Sequence, residues 1–119
     1  MSPLASIFMC GSVLEGLLLG MALANPQKFS QAAASPIDRN TGKVKQFQNW
    51  KLAELIDVSC ELAYLGLDVK KFSHVLREFR NFIHPYQQMS QNFSPDKHTA
   101  LICLQVLRAA IASLSNVRG

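Results

Sequence analysis

Residues 3–24 read PLASIFMCGSVLEGLLLGMALA, and on a helix they are apolar on almost every side. Glu15 is the single charged residue among them. A helix without a polar face is stable in water only when other segments cover much of it. Pro3 is typical of a first helical turn, and Asn25-Pro26 predicts where the helix ends. The stretch therefore predicts a first helix that is buried on more than one side.

The same stretch has the apolar length of a signal peptide or a membrane span. No Lys or Arg precedes it, and a carboxylate at Glu15 would cost a few kcal/mol in lipid, so we expect neither export nor membrane insertion. Three cysteines, Cys10, Cys60 and Cys103, lie far apart without a CxxC pair. This usage argues against a disulfide framework and favours a cytoplasmic location.

The length and composition of the chain predict one folded domain spanning residues 1–119. Apolar residues make up 49% of the chain and charged residues 17%, which excludes a disordered protein. The formal net charge is +4, and the isoelectric point is about 9.2. This charge permits binding to a nucleic acid without arguing for it, because the basic residues form no run.

Three further helices are predicted from apolar residues that recur at spacings of three and four. The second extends from Asn49, as its cap, to Gly66. Asp68 caps the third, which ends before Pro85, and Ser94 caps the fourth. The predicted buried positions are Leu52, Leu55, Ile56, Ser59, Leu62 and Ala63; Val69, Phe72, Leu76, Phe79 and Ile83; and Ala100, Cys103, Leu104, Leu107, Ala110, Ile111 and Leu114. The pattern predicts an all-α fold, an up-and-down bundle of four main helices.

Residues 25–49 are predicted to be the longest irregular connection, because they contain two prolines, a glycine and several turn-forming residues. Within them, residues 37–44, IDRNTGKV, predict a tight turn or a short hairpin. Arg39, Lys43 and Lys45 make this a small basic loop, which we interpret as a solvated surface connection.

Residues 76–86, LREFRNFIHPY, place Arg77, Arg80, Asn81 and His84 near the end of the third predicted helix. On a helical wheel, His84 lies about 40° from Arg80 and about 20° from Arg77. Two guanidinium groups beside one imidazole are suited to binding an anion, because the arginine fork matches carboxylate and phosphate geometry. The cluster therefore needs an anionic partner.

Three anionic partners are compatible with the residues. Glu15 on the first helix could neutralise Arg80 as a structural ion pair. The free carbonyl groups at the helix C-terminus could be complemented by the cations. A nucleic-acid phosphate could bind, with His84 as general acid or base and an arginine stabilising the developing charge. The residues alone leave these alternatives open.

The chain also resembles the HEPN superfamily of helical domains, whose motif is an arginine, four to six intervening residues and a histidine, often with a polar residue after the arginine. Six residues separate Arg77 from His84. Arg80 is followed by Asn81 but has only three residues before His84, so the pattern is divided between two arginines. The apolar first helix and a fourth helix beginning SPDKHTA at residues 94–100 fit the general plan of these domains.

The resemblance implies a metal-independent endoribonuclease that cleaves single-stranded RNA at a composite site between two subunits, hence a homodimer. Arg77 or Arg80 would then face the phosphate with His84, Asn81 would help to orient the site, and Glu15 would hold one arginine in place. Other members are inactive scaffolds or bind a protein partner, which would make the cluster structural.

The remaining candidate residues are a tyrosine beside the cluster and two other histidines. Tyr86 follows the cluster and is a supporting residue that could hydrogen-bond there. His74 and His98 have no other metal ligands at a suitable spacing, so we expect neither a metal nor a cofactor.

Overall fold

The computed structural model describes residues 2–82 and 96–116, without the side chains of residues 79–82. The helices in these ranges are α1 (Pro3–Ala24), α2 (Pro26–Gln31), α3 (Leu52–Glu61), α4 (Leu67–Phe82) and α5 (Lys97–Ser115). A 3₁₀ turn covers Phe47–Asn49, and no strand occurs in the described ranges. The prediction of an all-α fold is confirmed, and α1, α3, α4 and α5 correspond to the four predicted helices.

Helix α1 begins and ends where the sequence predicts. The Ser2 hydroxyl accepts a hydrogen bond from the Ala5 N–H at 3.1 Å, which satisfies one of the free donors of the first turn. The prediction that α1 is buried on more than one side is wrong, since the buried residues, Ile7, Leu14 and Leu18 among others, lie on one side of the helix. The helix contacts α2, α3, α4 and α5, and among the described elements its contact with α5 is the most extensive. It therefore lies at the centre of the fold.

The prediction that residues 25–49 are irregular throughout is wrong for Pro26–Gln31, which form α2. Asn25 ends α1 by bonding to the Met21 carbonyl through its backbone N–H (3.0 Å) and its side-chain amide (2.9 Å). The Asn25 carbonyl then accepts the Phe29 N–H at 3.1 Å, and Pro26 supplies the first turn. The predicted end of the first helix is thus a sharp turn from α1 into α2.

The predicted turn within residues 37–44 is confirmed. Ile37 and Val44 form an antiparallel bridge, and the Asp38 N–H donates to the Lys43 carbonyl at 2.8 Å. Gly42 has a φ of 71°, a conformation that side chains disfavour and glycine tolerates. The tip of this hairpin is exposed, as expected for a surface loop.

Helix α3 is shorter than predicted at both ends. It begins at Leu52 rather than near Asn49, since Asn49 belongs to the 3₁₀ turn. It ends at Glu61 rather than near Gly66, because Ala63 adopts a left-handed φ of 64°. The N–H groups of residues 64 and 65 then turn back to a single carbonyl of α3, the usual closure of a helix C-terminus.

The positive φ of the backbone at position 63 is therefore unfavourable for the alanine that occupies it. We expect Ala63→Gly to raise the free energy of unfolding by about 1 kcal/mol, because glycine has no Cβ to be strained at positive φ. Urea denaturation followed by circular dichroism measures this change. The matched control is Ala112→Gly, at an exposed position inside α5, which should lower stability by about 1 kcal/mol. Equal losses in both variants would contradict the left-handed conformation at Ala63.

Helix α4 begins at Leu67, so Asp68 lies in its first turn and is not its cap. Gly66 precedes the helix, and its carbonyl accepts the Lys70 N–H at 2.8 Å. The predicted burial of Phe72 is also wrong, since 56% of its surface is exposed. Ser73 is fully buried instead.

Helix α5 is capped by Asp96. The Asp96 carboxylate accepts the Thr99 N–H at 2.9 Å. That hydrogen bond holds the pKa of Asp96 below its usual value, so its contribution to stability is lost as pH falls through that pKa. The predicted cap Ser94 lies outside the described residues. Along the helix, Ile111 is exposed although it was predicted to be buried, and Val106, which the predicted stripe did not include, is buried.

An aromatic cluster fills the space between α2, the 3₁₀ turn and the end of α3. Phe29 is fully buried at its centre. Its ring centroid lies 6.4 Å from that of Phe47, 6.2 Å from Trp50 and 5.8 Å from Tyr64. These spacings are typical of favourable aromatic pairs. The cluster connects the segment after α1 to α3 and belongs to the same core as the helix interfaces.

The cysteines are free thiols, in keeping with their spacing. Cys10 on α1 and Cys103 on α5 are both buried. Burial raises the pKa of each thiol, and the proximity of Cys10 raises that of Cys103 further. Both therefore act as small apolar residues between α1 and α5.

Candidate functional site

The last two turns of α4 carry three residues of the predicted catalytic cluster, namely Arg77, Arg80 and Asn81. The backbone of all three is helical, so the predicted helix extends through them. Predictions about the side chains of Arg80 and Asn81 lie outside the described part of the structure. His84 and Tyr86 also lie outside it, so their roles stay predictions.

Arg77 is the residue of the cluster whose surroundings are described. Its side chain is 29% exposed, and its Nη2 lies 3.9 Å from Oε1 of Glu78. Glu78 is 70% exposed, and a pair this long and solvated contributes little to stability. The Nε of Arg77 is buried and has no hydrogen-bond partner among the described residues. A buried donor without an acceptor is unfavourable, but an atom without exposed surface is closed to a ligand from solution, so an added anion would have to bind the outer nitrogens of this guanidinium.

Glu15 lies on α1, half-buried, midway along the helix that contacts α4. Its neighbour in sequence, Leu14, is fully buried, so Glu15 lies at the border of the core. The predicted ion pair between Glu15 and Arg80 depends on an arginine side chain outside the described set. The structural alternative for the cluster is therefore still a prediction.

A second polar cluster joins α3 to α4. The Nε2 of His74 lies 2.7 Å from Oδ1 of Asp57, and the Nζ of Lys70 lies 3.6 Å from the same oxygen. Both helices present these residues on their outer sides, where the side chains are 25–40% exposed. The short connection between α3 and α4 brings the three residues together. These contacts link the outer sides of α3 and α4, so we interpret the cluster as a surface connection between two helices.

Two serines that could in principle act as nucleophiles, Ser59 and Ser73, are fully buried. Neither hydroxyl has a hydrogen-bond partner among the described residues, and the same holds for the Tyr64 hydroxyl. A nucleophilic serine requires an adjacent base and access to substrate. These hydroxyls meet neither condition in the described structure, so they are structural features of the core.

Searches against protein-family models, curated proteins and solved structures find no match to this chain. No family is therefore assigned. The resemblance to HEPN domains consequently rests on the arginine–histidine motif and on the helical plan alone. His98, the other histidine considered as a ligand, is exposed in the first turn of α5, and no group of three potential metal ligands occurs in the described residues.

Two helices, α1 and α5, are long and apolar enough to cross a membrane by length and composition alone. About a third of the most apolar window of α1 is buried inside the protein, and 28% of that of α5. Each helix packs against the other along its buried side, as core helices do. The cytoplasmic location and the absence of membrane insertion stay predictions.

Sequence reasoning identified Arg77 but missed two features that the structure adds. The pairing of Asp57 with His74 could have been anticipated, because a short connection between two helices brings their outer faces into register. The lack of a partner for the Arg77 Nε among the described residues had no sequence signal, since it depends on which side chains of other helices surround it.

Proposed function

We propose that this chain is a HEPN-like helical domain that binds RNA through phosphate contacts at the C-terminal end of α4. The observation that carries the proposal is the Arg77 guanidinium, a donor group that is partly exposed on α4 and whose one ion pair among the described residues, to Glu78, is long at 3.9 Å and solvated. An RNA phosphate offers the oxygen acceptors that such a donor requires, and arginine binds phosphate with two parallel hydrogen bonds. The net charge of +4 favours the approach of a polyanion.

The proposed fold is the up-and-down bundle of HEPN domains, formed by α1, α3, α4 and α5. The four helices enclose one core, and α4 contacts α1, α3 and α5. The end of α4 would then present Arg77, Arg80 and Asn81 to a single-stranded substrate. This placement supports a site on a rigid helix rather than on a loop.

In the catalytic form of the proposal, His84 exchanges a proton with the 2′-hydroxyl that attacks the phosphate or with the leaving oxygen. An arginine stabilises the negative charge that develops on the phosphate oxygens. Asn81 orients these groups and Glu15 holds one arginine in place. The proton transfers and charge stabilisation come from side chains, so cleavage proceeds in EDTA.

RNA binding is tested by the fluorescence anisotropy of a labelled single-stranded RNA over a range of salt concentrations. We expect Arg77→Ala to weaken binding by about tenfold, the loss of a charged hydrogen bond. The slope of log affinity against log salt should fall by about 0.7, the value for one phosphate contact on a single strand.

The control for Arg77→Ala is Arg39→Ala, which removes the same charge from the exposed hairpin. We expect its affinity and salt slope to match those of the parent. Arg77→Lys provides a second check, because it keeps the charge and loses the fork. Equal weakening by Arg39→Ala, or no binding by the parent, would contradict the proposed site.

A second candidate function is a non-catalytic interaction module whose arginine cluster is structural. The observation that favours it is the number of large apolar side chains on the surface, several of them on α1, α4 and α5. In that case Arg80→Ala should lower stability and RNA should not bind. The two functions therefore differ in both measurements.

A further inference from the structure

A polar cavity lies between the hairpin of residues 37–44 and the 3₁₀ turn Phe47–Asn49. Its volume of about 610 Å³ is in the usual range of small-molecule sites, about 300–1,000 Å³. We call it the hairpin cavity. None of the described residues that line it belongs to α4, so it is a different site from the arginine cluster. Its polar and charged lining residues are Asp38, Thr41, Lys43, Lys45, Gln46 and Asn49.

Backbone hydrogen bonds hold the walls of the hairpin cavity in place. The Asp38 N–H donates to the Lys43 carbonyl at 2.8 Å, and the Lys45 N–H donates to the Pro36 carbonyl at 3.0 Å. The Lys45 carbonyl accepts the indole N–H of Trp50 at 2.9 Å. Because Trp50 is buried in the aromatic cluster, the walls are connected to the core, and such support favours a preorganised site.

Two lysines on one arm of the hairpin give the cavity its positive charge. Lys43 and Lys45 are two residues apart in extended backbone, so their side chains leave the chain on the same side. The ion pairs of the described residues involve neither of the two ammonium groups. A ligand in the hairpin cavity therefore meets two cations that no described carboxylate neutralises, and lysine binds phosphate as a point charge.

The rest of the polar lining is suited to hydroxyl groups. The Asp38 carboxylate is held by the Asn40 N–H, which donates to its Oδ1 at 2.8 Å, and a carboxylate can accept further hydrogen bonds. The amides of Gln46 and Asn49 each carry donors and an acceptor, and Thr41 carries a hydroxyl. Sugar hydroxyls both donate and accept, so they match this mixture better than a purely anionic ligand does.

We infer that the hairpin cavity binds a sugar phosphate. The phosphate lies between Lys43 and Lys45, and the sugar hydroxyls lie towards Asp38 and Asn49. A phosphate monoester carries a charge of about −1.5 to −2 near neutral pH, which two ammonium groups match. Each phosphodiester of an RNA strand carries a single charge, so the monoester is the better complement. This inference does not depend on the RNA proposal.

The test uses the fluorescence of Trp50, the only tryptophan in the chain, which reports on the cavity through its bond to Lys45. The probe is glucose 6-phosphate, and the matched ligands are glucose and inorganic phosphate. We expect glucose 6-phosphate to give a saturable change at millimolar concentrations. Each matched ligand should bind at least about tenfold more weakly, because it lacks one half of the contacts. Isothermal titration calorimetry gives the same affinities independently.

Lys43→Ala and Lys45→Ala should each weaken the binding of glucose 6-phosphate at least about tenfold, the loss of a charged hydrogen bond. The matched control is Arg39→Ala, which removes the same charge from the hairpin at a position outside the cavity lining. It should bind like the parent, as should Arg77→Ala, whose change lies on α4. Circular dichroism melts establish that the variants remain folded.

Four results would overturn the inference. A parent without saturable binding of glucose 6-phosphate lacks the site. Equally tight binding of inorganic phosphate would mean an anion site without sugar recognition. Equal weakening by Arg39→Ala and Lys43→Ala would mean general attraction to the positive hairpin. Displacement of glucose 6-phosphate by single-stranded RNA, with RNA binding lost in Lys43→Ala, would assign the cavity to RNA.

Discussion

Phe29→Ala should lower the free energy of unfolding by about 3–5 kcal/mol, a large fraction of the total stability of a small domain. The side chain is fully buried, and its ring contacts those of Phe47, Trp50 and Tyr64. Truncation therefore removes the buried ring, leaves a cavity and ends three aromatic contacts. Urea denaturation followed by circular dichroism gives the change directly.

Phe72→Ala is the matched control, because it removes the same ring from a position that is 56% exposed. At low protein concentration, where self-association does not contribute, it should change stability by no more than about 0.5 kcal/mol. Similar losses in the two variants would mean that the two rings are equally buried. A loss below about 1 kcal/mol for Phe29→Ala would contradict the aromatic cluster as the anchor of α2.

The two phenylalanines also show where sequence patterns were sufficient and where they were not. The α1 boundaries were predictable, because Pro3 and Asn25-Pro26 act locally on the backbone. Helix α2 was not, since its six residues have no repeating apolar pattern and the helix is held by the burial of Phe29.

Ala63 and Phe72 illustrate errors of a different kind. Gly66 was the expected end of α3, because glycine adopts positive φ without strain, but Ala63 takes that conformation. Phe72 fits an apolar seam on α4 as well as Val69 and Leu76 do. The side of α4 that packs against α1 and α3 is the neighbouring one, which carries Ser73. The sequence of one helix does not determine how that helix is rotated about its axis relative to the core.

The candidate site was partly predictable. The grouping of Arg77, Arg80 and Asn81 on one helix end followed from their spacing, and α4 does include all three. Whether an arginine is paired depends on side chains contributed by other helices. The spacing of residues along α4 carries no information about those side chains. The Nε of Arg77, which has no hydrogen-bond partner among the described residues, is such a feature.

The catalytic form of the proposed function predicts the largest change of all. Replacing His84 by alanine should reduce RNA cleavage by about 10²–10⁴-fold, the usual contribution of a general acid or base. Arg77→Ala should reduce it by about 10²–10³-fold, through the loss of one donor to the developing charge. Arg39→Ala should cleave at the parental rate, because its charge lies on the hairpin.

The most direct measurement is therefore the cleavage of labelled single-stranded RNA in excess EDTA by the parent, His84→Ala, Arg77→Ala and Arg39→Ala, each verified as folded. The account predicts cleavage by the parent and by Arg39→Ala, and its loss in the other two variants. A folded parent that neither binds nor cleaves RNA would contradict it. So would cleavage that His84→Ala and Arg77→Ala retain in full.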